Sequence, residues 1–165
     1  MFIEAFRYKS WADERTLTAI ESIDKARYND SYAFTLQQIN HMVIVEELFR
    51  SRLIGSPPPH NATNTVVVPT YEKLRTRLTS SVSWYLDFIG KLDNAEMNRN
   101  IAFIFADGKS GSMTVKEILF HIINHGSYHR GSIAHALDLA RIPHPADGYG
   151  IFIHEIEPQR RKSIV

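Results

Sequence analysis

The sequence predicts an all-α protein, a four-helix bundle with a short β-hairpin before the last helix. Three observations predict it. Apolar residues recur at helical spacing in four long stretches. Turn and breaker residues separate those stretches, most clearly Asn29-Asp30-Ser31 and Gly55-Ser56-Pro57-Pro58-Pro59. A short run rich in strand formers, Ile101-Ala102-Phe103-Ile104-Phe105, meets an Asp107-Gly108 turn signal just before the last stretch.

Taken in order, Ser10 is a plausible N-cap for a first helix over about residues 11–26, with Asp13 and Glu14 in the first turn, where negative charge suits the helix dipole. A second helix is expected over about residues 32–53, ending at Gly55, because three consecutive prolines cannot continue it. Residues 55–68 read as a loop closed by Val66-Val67-Val68. Pro69-Thr70 opens a third helix over about residues 71–92. The hairpin follows within about residues 99–114. Thr114-Val115-Lys116-Glu117 then matches the capping box and starts a fourth helix that runs to about Arg141, where Pro143 and Pro145 stop it. Ile151-Phe152-Ile153 in the tail is apolar enough to pack on the bundle. One domain over residues 1–165 suits this length.

Composition excludes several classes. Lys and Arg number 19 against 18 Asp and Glu, so no overall field draws the chain to nucleic acid or an anionic membrane. The tight basic cluster Arg160-Arg161-Lys162 reads as a solvated chain end. No stretch reaches the roughly 20 apolar residues that a membrane span needs. Charged residues interrupt the first 20 positions, so no secretory leader is read there, and a cytoplasmic protein is expected. The absence of cysteine excludes disulfides, thiolate ligands and a cysteine nucleophile; thiol chemistry would need a thiol from outside.

Eight histidines are the unusual feature. On the fourth helix, at about 100° per residue, His125 and His129 fall in or beside the arc of Ile118, Ile122, Ile133 and Ala136. His121 lies on its rim, and His135 falls on the solvent side. On the second helix His41 shares a face with Phe34, Val45 and Leu48, Gln37 sits one turn before it, and Glu46 and Glu47 point elsewhere. An inward imidazole needs a partner, since an uncompensated buried polar group costs about 2–7 kcal/mol. Two histidines at i and i+4 present their nitrogens to one point, and a third from a facing helix would complete a three-histidine metal face with a position left for water or substrate. The structural alternative is that each ring bonds its own carbonyl or carboxylate. The choice turns on whether the second and fourth helices are neighbours.

The segment from Thr114 to Gly131, with its core Asn124-His125-Gly126-Ser127-Tyr128-His129-Arg130-Gly131, closely resembles the signature helix of the DinB family of four-helix-bundle proteins. Trp11 with its charged followers, Ile39-Asn40-His41, and Asp147 to Phe152 resemble other parts of that family, so the likeness runs along nearly the whole chain. The resemblance implies a metal triad of His41, His125 and His129. It makes His121 a structural or supporting group and not a ligand. Gly131 is expected to permit close helix approach, and Arg130 to pair with a carboxylate such as Glu46 or Glu47. Tyr128 points away from the ligands.

The family name, which refers to induction by DNA damage, implies no DNA binding. The resemblance further implies a metal-dependent transferase acting with a low-molecular-weight thiol of the bacillithiol, mycothiol or glutathione type. A non-catalytic metal-binding bundle and a metal-dependent hydrolase are the alternatives. Nitrogen-only ligands suit zinc or nickel, with copper, iron or manganese behind them. Trp84, Tyr85 and Phe88 read as core, with pocket lining as the alternative. Met42, Val43 and Phe49 lie off the His41 face, which together with the family's habit suggests a homodimer. The remaining partner is a small-molecule substrate.

Overall fold

The computed structural model describes residues 1–105 and 107–161. Its elements in chain order are α1 (Phe2–Glu21), α2 (Asn29–Leu53), α3 (Tyr71–Ile89), α4 (Asn94–Asn98), β1 (Asn100–Ile104), β2 (Ser110–Thr114), α5 (Val115–Leu139), α6 (Tyr149–Ile156) and a 3-10 turn at Pro158–Arg160. The four long helices form a ring in which α2 packs on α5 and α3, and α1 packs on the same two. The bundle class and the hairpin before the last long helix are therefore as the sequence predicts, and α2 and α5 are neighbours.

Local chemistry accounts for most boundaries. Gly55 ends α2 with a positive φ of 66°, which a side chain would resist. Thr70 caps α3. Thr114 and Glu117 form the full capping box of α5, with the Thr114 N–H donating to the Glu117 carboxylate at 2.7 Å. β1 and β2 pair antiparallel, Asn100 opposite Thr114 and Ile104 opposite Ser110, around a turn at Gly108.

The first helix departs from expectation. It begins at Phe2, so Ser10 is no cap and Asp13 is a buried mid-helix residue. Glu4, Arg7 and Lys9 are ordinary helix formers, and nothing before Ser10 breaks the pattern.

Two large apolar clusters fill opposite ends of the bundle, and a small third one forms around Tyr8, Ala12 and Phe152. One large cluster contains Leu17, Ile20, Met42, Leu74, Leu78 and Ile133; the other contains Phe6, Phe49, Tyr85, Val115, Ile118 and Leu119. Between them runs a buried polar layer of Lys9, Asp13, Glu46, Ser81 and Arg130. Lys9 bridges the carboxylates of Asp13 and Glu46, the latter at 2.8 Å. Glu46 also accepts from the Ser81 hydroxyl at 2.6 Å. Arg130 donates to Asp13 at 2.8 Å and to Asp147 at 2.7 Å. The expected pairing of Arg130 with Glu46 or Glu47 is thus replaced: Glu46 is taken by Lys9, and Glu47 by Arg77 and His60. Arg130 instead ties α5 to α1 and to the segment before α6, where Tyr8 also bonds Asp147. Phe152 packs on Tyr8 and Trp11, so the apolar tail does dock on the bundle.

Close approach is permitted by Gly126 rather than Gly131. A Cβ at Gly126 would meet Arg130 Nη1 at 3.1 Å and Lys9 Cε at 3.4 Å, whereas a Cβ at Gly131 meets nothing within 4 Å. Because Asp13 and Asp147 pin Arg130, it cannot yield to the added methyl. Gly126→Ala is expected to destabilise by about 1–2 kcal/mol despite better helix propensity, and Gly131→Ala to stabilise by about 0.5–1 kcal/mol. Urea melts of the two variants read the opposite signs directly.

Met42, Val43 and Phe49 are covered inside the chain's own core and supply no dimer face. Tyr85 is fully buried, and its hydroxyl donates to the Glu46 carbonyl at 2.8 Å; Trp84 and Phe88 are partly buried and pack against the same core, as the sequence predicts. No helix of the described residues is long and apolar enough to cross a membrane. Lys162, the third residue of the basic cluster, lies outside the described residues; Arg160 pairs with Glu157 at 3.6 Å.

Candidate metal centre

The seam between α2 and α5 brings His41, His125 and His129 together. One ligand nitrogen from each lies within 4.8 Å of the others, so the three could hold a metal ion. The Nε2 atoms of His41 and His125 are 3.1 Å apart, and those of His125 and His129 are 3.0 Å apart. A tetrahedral zinc site with ~2.05 Å arms has ligand atoms ~3.3 Å apart, close to these separations.

The tautomers decide what the arrangement wants. His41 Nδ1 lies 2.9 Å from the Thr63 carbonyl oxygen, an atom that only accepts, so Nδ1 carries the proton and Nε2 presents a lone pair. His129 Nδ1 lies 2.6 Å from the Gln38 amide oxygen, which fixes that ring the same way. Two lone pairs then face His125 Nε2, and a neutral ring there can donate to only one of them. A cation at the convergence point satisfies all three nitrogens at once. These residues fit a divalent metal.

Burial keeps the His125 and His129 rings neutral. The His125 imidazole is pushed down to about 3, first by burial and then by the neighbouring rings of His129, His41 and His121, with Lys9 adding a little. His129 is lowered to about 4 by burial and then by His41. Neutral imidazole is the metal-binding form. In the unfolded chain both rings titrate near 6.5, so the native metal-free protein binds fewer protons than the unfolded one below that pH. Its stability is therefore expected to be level above about pH 7 and to fall by about 1–2 kcal/mol between pH 6.5 and 5 on account of this pair, allowing for solvent around half-buried rings. Subtracting the same titration of a His125→Gln/His129→Gln variant isolates the effect from that of the carboxylates.

All three rings are half-buried, because the triad sits at the edge of the core and not at its centre. The face of α2 that turns fully inward carries Ile39, Met42, Val43 and Glu46. The face of His41, Val45 and Leu48 borders a pocket, and Phe34 on the same side is 40% exposed. This offset explains why Gln38 reaches His129 while the expected Gln37 is exposed. His121 is half-buried, stacked 5.3 Å from the His125 ring and tilted against Phe49 at 5.1 Å; burial lowers its proton affinity, helped by Arg52. Tyr128 and His135 are exposed. Sequence reasoning did not find Thr63. Its backbone carbonyl works whatever the side chain, so the only trace is Asn40, whose amide donates to Thr65 at 2.9 Å and holds the same loop on α2.

His41 and His125 of the triad open into a pocket of about 290 Å³ between α2, the hairpin and the first half of α5. Its walls include Val45, Leu48, Phe49, Phe105 and Met113.

A sequence model of the DinB family matches residues 1–161. The chain belongs to the DinB family. It is also 23% identical over 163 residues to Protein DinB of Bacillus subtilis (strain 168), an alignment that spans 90% of this chain and 91% of that protein. No solved structure gives a significant match. In this DinB-family chain the signature segment of α5 thus supplies two of the three histidines, and α2 supplies the third.

Proposed function

We propose that the chain binds one divalent transition metal, zinc or nickel, through His41, His125 and His129, and acts as a transferase for a low-molecular-weight thiol. The observation that carries the reading is the convergence of three Nε2 atoms, with the lone pair of His41 aimed inward by the Thr63 carbonyl.

Three neutral ligands leave a bound ion its full charge, and such an ion favours the thiolate form of a thiol at neutral pH. The chain's own residues do the rest. Thr63 and Gln38 hold two rings in register. Apolar walls beside the triad exclude water from an incoming electrophile. The lack of cysteine fits a thiol brought by a cosubstrate. Hydrolysis would call for a general base, and no carboxylate lines the pocket among the described residues; His121 is the titratable group nearest to that role. The homodimer that the resemblance implies would have to use a surface other than Met42, Val43 and Phe49.

The test is turnover of a chromogenic electrophile by zinc- or nickel-loaded protein with bacillithiol, mycothiol or glutathione. The transferase reading expects turnover that needs both metal and thiol and disappears in His41→Ala. Turnover without thiol would indicate the hydrolase. Metal-raised melting with no turnover would indicate a non-catalytic metal-binding bundle.

A further inference from the structure

His41, Val45, Leu48 and Arg52 form one stripe along α2. At about 100° per residue all four fall within an arc of about 60°, and the two ends lie about 16 Å apart along the axis. All four line the pocket. A metal-binding histidine thus stands at one end of an apolar trough and a guanidinium at the other. Both side chains lean toward the N-terminus, and the longer Arg52 reaches further back than His41, so the gap between the two functional ends is about 10–16 Å.

Arg52 is half-buried and forms no ion pair among the described residues. One of its nitrogens donates to the Ile104 carbonyl at 3.1 Å, and its plane lies over Phe103 at 4.3 Å and Phe49 at 4.8 Å. These contacts hold the side chain in place and leave other N–H groups of the fork unused. Burial lowers its proton affinity, and no carboxylate acts on it. By contrast, the half-buried Arg77 and the buried Arg130 both hold carboxylates of the chain. A fixed cation in an apolar pocket without its own counter-ion is complementary to an anionic ligand.

We propose that this pocket takes the electrophile, as an apolar molecule that carries a carboxylate, with the carboxylate on Arg52 and the reactive end beside His41 and His125. The assignment rests on the transferase reading for the word electrophile; the choice of an apolar anion rests on the pocket alone. The walls argue against the thiol as the occupant, because thiols of the bacillithiol, mycothiol and glutathione type are polar along their length. A volume of about 290 Å³ suits a ligand of modest size.

The test compares 6-phenylhexanoate with 6-phenylhexan-1-ol by titration calorimetry on the metal-free protein, where no ion competes for the carboxylate. The acid is expected to bind about tenfold or more tighter than the alcohol. Arg52→Met is expected to abolish that preference with the alcohol unaffected, and Arg52→Lys to keep part of it. Equal binding of acid and alcohol by the natural protein, no saturable binding of the acid, or an undiminished preference in a folded Arg52→Met variant would each overturn the assignment. The first comparison needs no variant, so misfolding cannot hide the answer. A carboxylate preference without any thiol-dependent turnover would remove the transferase and keep the anion pocket. Thiol-dependent turnover that treats carboxylate-bearing and uncharged electrophiles alike, unchanged for both in Arg52→Met, would do the reverse.

Discussion

Zinc at a thousandfold excess over its dissociation constant is expected to raise the melting temperature of the metal-free protein by about 10 °C, and His125→Ala to reduce that rise to within about 2 °C. Binding to the native state alone contributes about 4 kcal/mol at that excess, and each kcal/mol moves a domain of this size by about 2–4 °C. His125 is the decisive position because its Nε2 lies 3.1 Å from that of His41 and 3.0 Å from that of His129, so its loss leaves two nitrogens with no common third partner. Without metal the same substitution should matter far less, since it relieves a cluster of lone pairs that has no cation to face. A chelator should return the natural protein to its metal-free melting point. Equal zinc shifts in the natural protein and the variant would mean that the ion binds elsewhere, and the triad would lose its role. Elemental analysis of the protein as purified would name the native metal independently.

The elements legible in the sequence are those fixed by local chemistry. The capping box at Thr114 and Glu117, the break at Gly55, the Asp107-Gly108 turn and the i, i+4 pair His125 and His129 each depend on residues within one or two turns. What could not be read depends on which helices meet. Ser10 resembles a cap and so puts the start of α1 too late, which conceals Asp13 as a buried partner of Lys9 and Arg130. The sequence points Arg130 toward carboxylates of α2, while its partners are on α1 and just before α6. Apolar periodicity turns the triad histidines toward the core, whereas they lie at its margin. A bundle with a polar middle layer blurs that criterion, because Lys9, Glu46 and Arg130 occupy positions that periodicity assigns to apolar side chains. The offset matters for function: rings at the seam can hold an ion and still meet a substrate, which rings in the middle of the bundle could not.

The middle layer carries the second large effect. Lys9→Met is expected to destabilise the metal-free protein by about 3–5 kcal/mol at pH 7, lowering its melting temperature by about 10 °C or more. Lys9 is wholly buried between Asp13 and Glu46. Asp13 would keep Arg130, but Glu46 would keep only the Ser81 hydroxyl and would be left as a buried charge. Burial already holds the Glu46 carboxyl above its usual range, even with the lysine opposing it. Removing the lysine raises it further. A carboxyl with a native pKa above its unfolded value contributes stability at low pH and loses it as pH rises through the native value. The variant should therefore recover part of its deficit at pH 5 relative to pH 7. Adding Glu46→Gln should restore most of the loss at pH 7, because the amide can still accept from Ser81 and no charge remains to be paired. A double-mutant cycle in urea reads the coupling. Additive losses would mean that Lys9 is held by packing alone, and the polar layer would then be a consequence of the fold rather than one of the things that fixes the register of α1 against α2 and α5.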